Sequence, residues 1–263
     1  MIYTDQTGRT ITLSSFPTKI VSLVPSQTEL LFYLGLNDEV VGITKFCVHP
    51  QNWFNTKTRI GGTKNLNIEK IRSLSPDLII ANKEENVKEQ IEALENIAPV
   101  WVSDVNDFDD ALRMIKMIGT ITNKTVAAQN IASQIKNKFA QLSINSPLQR
   151  ACYLIWKDPY MSVGGDTFIS SIMQQCGLQN VFEQETRYPG IQLKQLAALN
   201  CELILLSSEP YPFQQKHISE IQEQMPGAGI ILVNGEMFSW YGSRMLLAAD
   251  YFQQLMNKIN SNG

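Results

Sequence analysis

The feature that most constrains the fold is a pattern that occurs twice along the chain. Residues 68–80 and 193–205 each combine a short helical stretch, a tight polar turn and a strand that is apolar at nearly every position. Strands of this kind are typical of parallel sheets that helices cover on both faces. The repeat therefore predicts two similar α/β halves, each a parallel-type sheet flanked by helices.

Further segments match between the two halves in the same order. The apolar strand 20–24 corresponds to 151–155, and 98–102 corresponds to 228–233. Each half reads as strand, helix, strand, helix, strand, while residues 3–13 read as a separate short hairpin. We interpret this as an internal duplication; the alternative is a chance similarity between two ordinary α/β halves. Open α/β sheets bind ligands at the carboxyl ends of their strands, so we expect facing loops there to hold a ligand.

Two helices are predicted between the halves, over 107–118 and 124–142. The second helix carries one narrow apolar stripe at helical spacing, formed by Ile131, Ile135, Phe139 and Leu142. A helix of about five turns with such a stripe suits a connector lying across two lobes, and Ser146-Pro147 is expected to end it. The predicted organisation is an N-terminal lobe over 1–104, a helical connector over 105–146 that includes the bridging helix, and a C-terminal lobe over 147–263.

Length and charge narrow the class of protein. A chain of 263 residues, 44% of them hydrophobic, is long enough for two lobes with cores of their own. The formal net charge of -3, with lysine and arginine scattered, argues against a nucleic-acid partner. No run approaches the ~20 consecutive apolar residues of a membrane span. Residues 1–5 lack the basic and apolar regions of a secretory signal, so either the protein stays inside the cell or a signal has been removed ahead of Met1.

The four cysteines do not form a recognisable metal or disulfide framework. No two of them make a CxxC pair, and Cys152, Cys176 and Cys201 sit in apolar contexts that are typical of small buried residues. Cys47 and His49 are two positions apart in a predicted loop, a spacing at which both can face a soft metal. Because a structural site needs about four ligands, we favour a loop that lines the ligand cleft and predict no metal site in the free protein.

Catalytic patterns are scarce in this chain. It has two histidines, His49 and His217, and contains no HExxH, GxSxG or P-loop sequence. Residues 164–167 (Gly-Gly-Asp-Thr) precede a predicted helix, whose N-terminus can bind an anion. A plain helix cap by Asp166 is the simpler interpretation. The sequence therefore favours a binding protein over an enzyme.

Aromatic residues gather in loops of the second half rather than in periodic apolar runs. These residues are Trp156, Tyr160, Tyr188, Trp240 and Tyr241. The duplication places all of them at one end of the second sheet, where they would form the wall of a pocket for a flat or bulky ligand. Packing against the core is the alternative for each residue alone. Arg244 is a candidate to meet a carboxylate or phosphate and Glu236 a donor; each is otherwise a surface charge.

Four segments together resemble one known family. They are 20–31 (IVSLVPSQTELL), 62–69 (GTKNLNIE), 74–79 (LSPDLI) and 241–244 (YGSR). In order and spacing the chain resembles the periplasmic binding proteins of the iron-siderophore, heme and vitamin B12 ABC importers, especially the cobalamin-binding members. The resemblance runs from about residue 19 to 256 and implies two α/β lobes bridged by one rigid helix.

The resemblance also implies roles for single residues. Two of the aromatic positions that sandwich the corrinoid ring in cobalamin-binding members fall on Tyr160 and Tyr188. The third falls near Thr63, where the family has tryptophan, and Trp156, Trp240 or Tyr241 are candidates to compensate. The family docks on its transporter through one surface glutamate per lobe; the first matches Glu69, and the second falls on Lys194, a reversal of charge.

The resulting expectation is the substrate-binding component of an ABC importer. It would capture a corrinoid (cobalamin-like), heme or ferric-siderophore cargo in the cleft between the lobes, and it would need no cofactor of its own. The first lobe would contribute Cys47, His49, Thr63 and Lys64. We expect a monomer that meets a membrane permease, periplasmic or lipid-anchored outside the inner membrane. The alternative is a cytoplasmic chelatase-like enzyme or metal-complex sensor on the same two-lobed fold.

Overall fold

The structure is a computed structural model that describes residues 1–142 and 148–261, the last two by their backbone alone. The chain divides into two compact units. The first unit consists of Met1–Val105, Asp109–Ile135 and Trp240–Met245. The second consists of Asn106–Phe108, Lys136–Ser239 and Leu246–Gly263. Each unit is described below by itself.

The first unit is built on a five-stranded parallel sheet. Its elements are β1 (Ile2–Thr4), β2 (Thr10–Thr12), β3 (Ile20–Ser22), α1 (Pro25–Tyr33), β4 (Val40–Ile43), α2 (Gln51–Thr56), β5 (Thr58–Arg59), β6 (Gly61–Gly62), β7 (Asn65–Leu66), α3 (Ile68–Ser73), β8 (Leu78–Asn82), α4 (Lys88–Leu94) and β9 (Val100–Ser103). The parallel strands lie in the order β5-β4-β3-β8-β9, with Ile20 paired to Val40 on one side and to Leu78 on the other. The strands β1 and β2 form the predicted hairpin, with Tyr3 opposite Ile11.

The helices α5 (Phe108–Ile121) and α6 (Thr125–Ala140) follow, and the second unit begins its own sheet after them. Its elements are β10 (Gln149–Leu154), α7 (Phe168–Gln175), β11 (Leu178–Asn180), α8 (Leu193–Ala198), β12 (Leu203–Ser207), α9 (Gln215–Gln222), β13 (Gly229–Val233), α10 (Gly235–Ser239) and α11 (Met245–Ser261). All pairings in this sheet are parallel, in the order β11-β10-β12-β13.

The two sheets share one strand order, which confirms the predicted α/β class with two parallel-type sheets. In the first unit β3 lies between β4 and β8, and in the second unit β10 lies between β11 and β12. In both sheets the chain therefore goes first to one side of the starting strand and then to the other. Equivalent residues fill equivalent core positions: Ile71 and Ile79 in the first unit, Leu196 and Ile204 in the second, all fully buried. Strands buried on both faces are apolar at nearly every position, which is why the repeat can be recognised in the sequence.

The observed division of the chain differs from the predicted boundaries at two places. One boundary between the units falls inside α6, between Ile135 and Lys136, and the apolar stripe of that helix is buried on both sides of it. The segment Trp240–Met245 lies in the first unit although the sequence assigned it to the C-terminal lobe. The predicted helix end at Ser146-Pro147, and with it the boundary between 146 and 147, lies outside the described residues.

The stretch 44–67, which contains the predicted loop around Cys47 and His49, includes several short regular elements. The helix α2 is anchored by Trp53, whose side chain is buried and whose indole N–H donates to Asn37 at 3.3 Å. The strand β5 adds to the edge of the sheet beside β4, with Gly42 opposite Thr58. Elements of two to six residues carry too little periodicity to be recognised from sequence alone. No helix in the described part of the chain is long and apolar enough to cross a membrane.

Candidate functional site

The strand order of the second unit creates a crevice at one point of its sheet. The chain moves from β10 outward to β11 and then returns to β12 on the other side, so the connections diverge at the carboxyl ends of β10 and β12. Open α/β sheets bind ligands at such switch points. Trp156 follows β10 and Tyr211 follows β12, and their ring centroids lie 5.7 Å apart in an edge-to-face arrangement.

The side chain of Trp156 is 41% exposed. Tyr211 supports it from below, since its own ring packs on Phe213 at 4.8 Å and Phe213 is buried. Trp156 was predicted from the sequence, whereas Tyr211 was not. The run Pro210-Tyr211-Pro212-Phe213 directly after an apolar strand was the signal available for it.

Two further predicted residues come together through backbone hydrogen bonds. The loop after β10 lies against the segment before α8: the Ile191 N–H donates to the Tyr160 carbonyl at 2.8 Å, and the Ser162 N–H donates to the Pro189 carbonyl at 3.0 Å. Tyr160 and Tyr188 are therefore carried on adjacent segments, and both rings are partly exposed. Burial raises the pKa of the Tyr160 phenol, so its hydroxyl stays protonated at neutral pH.

Glycines at 164 and 165 make this close approach of the two segments feasible. A Cβ on Gly164 would lie 2.5 Å from the Glu185 carbonyl oxygen, and one on Gly165 would lie 2.0 Å from that of Glu183. The pair thus serves backbone packing.

The helix that follows is capped one residue later than the sequence analysis expected. The Thr167 hydroxyl accepts the Ser170 N–H at 3.3 Å. Asp166, the predicted cap, instead accepts the Arg187 N–H at 2.5 Å.

Beneath Tyr211 lies His217, which the sequence analysis noted without assigning it a role. Its side chain is buried, Nδ1 accepts the Gln214 N–H at 2.8 Å, and Nε2 lies 3.3 Å from the Tyr211 hydroxyl. Burial lowers the pKa of His217, and the nearby Lys157 ammonium lowers it further. Lys157 itself forms an ion pair with Glu220 at the rim.

We call Trp156, Tyr160, Tyr188 and Tyr211 the aromatic face. Its members stand on loops that the carboxyl ends of β10 and β12 and the segment before α8 hold in place. Aromatic rings supply large contact areas and stack on flat conjugated systems at a low cost in side-chain entropy. The face is suited to a flat or bulky apolar ligand with a few polar groups.

In the first unit, a hydrogen-bonded polar network fills the corresponding switch point. Asn82 at the end of β8 donates to the Ser103 hydroxyl at 3.0 Å, and Gln27 of α1 donates to the same hydroxyl. All three side chains are buried. The two units thus share a sheet but differ in what stands at its carboxyl edge.

Cys47 lies inside the first unit rather than on its surface. The side chain is fully buried, with the sulfur 3.1 Å from the hydroxyl oxygens of both Thr28 and Thr44. Burial raises the pKa of this thiol. The geometry makes Cys47 a packing residue that ties the loop after β4 to α1. The other three cysteines are also buried and free, which confirms their interpretation as small buried residues.

The remaining candidates of the first unit stand at its carboxyl edge. The ring of His49 is partly exposed and packs edge-to-face on Trp240 with centroids 5.6 Å apart. The Thr63 carbonyl accepts from the Asn86 amide at 3.0 Å, and the exposed Lys64 ammonium donates to the Glu84 carbonyl at 2.5 Å.

Phe46, which the sequence analysis missed, is 50% exposed beside these residues. A Cβ on Gly62 would lie 3.1 Å from its ring, so the ring lies across the β6–β7 hairpin. A large apolar residue between polar loop residues was the only signal in the sequence.

Three residues assigned to a ligand pocket of the second lobe lie buried in the first unit. Trp240, Tyr241 and Arg244 are each at most 9% exposed. From the sequence, Arg244 was a candidate to meet a ligand carboxylate or phosphate, with a surface charge as the alternative. A carboxylate of the protein itself, Glu29, takes that place, with nitrogen–oxygen distances of 2.8 and 3.0 Å. Burial raises the pKa of the Tyr241 phenol.

Three further charged residues singled out from the sequence are exposed or partly exposed. Glu236 is partly exposed in the first turn of α10. Glu69 in α3 is exposed and pairs with Arg72 at 3.6 Å, and Lys194 is exposed at the same position of the equivalent helix α8. Within the described residues, no group of three or more histidine, cysteine, aspartate or glutamate side chains is arranged to hold a metal ion.

Comparisons with known proteins place this geometry in context. The model of the family described as periplasmic binding protein matches residues 20–228. The vitamin B12-binding protein of Pectobacterium carotovorum is 23% identical over 254 residues, covering 94% of this chain and 90% of that protein. An ABC transporter substrate-binding lipoprotein of Bacillus subtilis is 27% identical over 213 residues, covering 76% and 67%. The periplasmic heme-binding protein HutB of Vibrio cholerae shares the fold with a TM-score of 0.79 at 18% identity, covering 91% and 98%.

Proposed function

The chain belongs to the periplasmic binding protein family, and we propose that it delivers a large metal-containing cargo to an ABC importer. The cargo class is a corrinoid, heme or ferric siderophore. The observation that carries this proposal is the aromatic face, an exposed tryptophan and three tyrosines gathered at the switch point of the second sheet. As a member of this family the chain is a binding protein and not an enzyme.

Two further observations support this class of cargo. Two of the three proteins named above are a vitamin B12-binding and a heme-binding protein, and each of these ligands is a metal held in a flat macrocycle. A flat macrocycle offers the conjugated surface that aromatic side chains stack on. The cargo is the transported substrate, and no residue of the described chain is needed to hold a resident cofactor. The relatives lend no support to the chelatase-like enzyme or sensor alternative.

We include the exposed edge of the first unit in the proposal as a second set of contacts. Its residues are His49, Thr63 and Lys64 from the sequence analysis, together with Phe46. Cys47, Trp240, Tyr241 and Arg244 are proposed to support these loops from inside the unit, because their side chains are buried. Glu236 is proposed as a polar contact of the second unit.

Titration with cyanocobalamin, hemin and a ferric catecholate siderophore, followed by tryptophan fluorescence and calorimetry, tests the proposal. The variant Trp156→Ala should weaken binding of the true cargo by about tenfold or more, equivalent to ~1.4 kcal/mol. Tyr33→Ala is the matched control, because Tyr33 is a similarly exposed aromatic residue, 46% exposed, at the end of α1. Binding weaker than about millimolar for all three probes, only ~4 kcal/mol, would refute the cargo class.

The family supports proposals for the partner and the location. Substrate-binding proteins of ABC transporters work with a permease, and we propose that Glu69 on α3 contacts it. We further propose that the protein acts as a monomer outside the inner membrane, either periplasmic or lipid-anchored; the relatives include a lipoprotein. Light scattering of the purified protein and fractionation of the native cells test these two points.

A further inference from the structure

The buried side chain of His217 packs against Tyr211, a member of the aromatic face. His217 is 2% exposed and packs its ring against Tyr211 at 5.5 Å and Phe213 at 5.4 Å. It is also the third residue of α9 and closes a capping box, in which its Nδ1 accepts the Gln214 N–H and the Gln214 side chain accepts the backbone N–H of His217. The same imidazole thus caps α9, where the loop after β12 ends, and contacts Tyr211, whose ring packs against Trp156.

These contacts admit only one protonation state of the imidazole. Because Nδ1 accepts the Gln214 N–H, the proton of the neutral ring must be on Nε2. That N–H then donates to the Tyr211 oxygen 3.3 Å away. Protonation would place a second N–H on Nδ1, facing the N–H of Gln214, and two donors cannot share that position. The capping box would open and the ring would have to turn.

The charges around His217 act in opposite directions. Lys157, from the loop after β10, and Lys216, its neighbour on α9, disfavour a charged imidazole. Glu220, one turn further along α9, favours it but forms an ion pair with Lys157. Burial is the largest influence, and together these groups lower the pKa of His217. The imidazole is therefore neutral at neutral pH and takes up a proton only in acid.

On the basis of the proposed function, we propose that His217 is a positioning residue that holds Tyr211 in the aromatic face only while its imidazole is neutral. Cargo binding then weakens as the solution is acidified, through a side chain that lies behind Tyr211 and is not among the proposed cargo contacts.

The effect on stability has the same sign. Since folding lowers the pKa of His217, the unfolded chain takes up this proton first as the pH falls. The stabilisation is complete above about pH 6.5, the ordinary histidine value, and it declines as the pH falls towards the lower folded-state value.

The first arm of the test needs no cargo. Three of the four tryptophans, Trp53, Trp101 and Trp240, are at most 9% exposed, so acrylamide quenching reports mainly on Trp156, and Trp156→Phe identifies its share. We expect quenching of Trp156 to rise as the pH falls from about 7.5 to about 5 in the wild-type protein.

In the variant His217→Gln, acrylamide should quench the Trp156 fluorescence to the same extent at all pH values in this range. Glutamine at the third helical position keeps a capping acceptor and does not titrate. Lys216→Gln is the control and should keep the wild-type profile, with its midpoint moved to higher pH. Quenching that does not change with pH in the wild type, or that changes equally in His217→Gln, overturns the proposal.

The second arm measures the affinity for cyanocobalamin over the same range, since the charge of this probe stays constant there. The wild-type affinity should fall by about tenfold between about pH 7.5 and about pH 5, and that of His217→Gln by less than about twofold. Equal losses in both proteins overturn the inference and leave the proposed function standing. A wild-type protein that binds none of the three cargo probes at any pH overturns the proposed function, while the quenching arm still decides whether His217 positions Tyr211.

Discussion

Arg244 and Glu29 form an ion pair inside the first unit, although 215 positions separate them in the chain. The guanidinium also lies over the ring of Trp240, 5.1 Å from its centroid. Both charged side chains are at most 8% exposed. The pair therefore fastens the segment Trp240–Met245 onto α1, and the adjoining Gly242, with φ of +102°, lets the backbone turn there.

Breaking this pair should be costly, because the remaining charge would be buried without its partner. We expect Glu29→Gln to lower the free energy of unfolding by about 3 kcal/mol, and Glu29→Leu combined with Arg244→Met to recover most of that loss. Urea denaturation measures both. The control is Arg72→Met, which breaks the exposed pair with Glu69 and should cost less than ~1 kcal/mol. A cost for Glu29→Gln as small as that of the control would contradict this description of the pair.

A substitution at Gly165 tests whether the close backbone contact between residues 164–165 and 183–186 contributes to stability and to cargo binding. We expect Gly165→Ala to destabilise the protein by about 1–3 kcal/mol and to weaken cargo binding, because the new Cβ would overlap the Glu183 carbonyl. Gly190→Ala is the matched control, since a Cβ there meets nothing within 4 Å, and its effect should stay within ~0.5 kcal/mol. Thermal unfolding and cargo titration of both variants distinguish these outcomes; equal behaviour would show that the approach is not tight.

The thiols should be unreactive in the folded protein. All four cysteines are buried, and burial raises the pKa of Cys47 and raises that of Cys201 to about 11. Since the thiolate is the reactive form, alkylation with iodoacetamide near pH 8 should be slow until urea is added. Mass spectrometry of the labelled peptides shows in which order the four cysteines are alkylated. Rapid labelling of Cys47 in the native protein would place its sulfur at the surface and restore it as a ligand contact.

Glu69 should matter for transport but not for cargo binding. Its side chain is 82% exposed, so Glu69→Ala should leave stability and cargo affinity within experimental error. Stimulation of the ATPase activity of the reconstituted importer should fall by about tenfold, ~1.4 kcal/mol of lost docking energy. Glu92→Ala on α4 is the control, because Glu92 is another exposed glutamate paired within its own helix. Equal effects of the two variants would argue against a docking role for Glu69.

Much of the fold was predictable because its signals are local. The strands at 78–82 and 203–207 are apolar at every position but the last, and the helices before them follow the same spacing in both halves. The positions of Trp156 and Tyr160 were predictable for the same reason, since both lie in the loop that follows a recognisable strand. Tyr211 and His217 were missed because their roles depend on contacts across a loop rather than on periodicity.

The sequence by itself determined the two parallel-type sheets, because a strand buried on both faces is apolar at nearly every position and this pattern is local. Only the tertiary structure decided which side chains face outward at the carboxyl edges. Cys47 turned inward onto Thr28, and Arg244 found Glu29 at the opposite end of the chain. Such pairings depend on distances between residues far apart in sequence, which leave no local pattern to recognise.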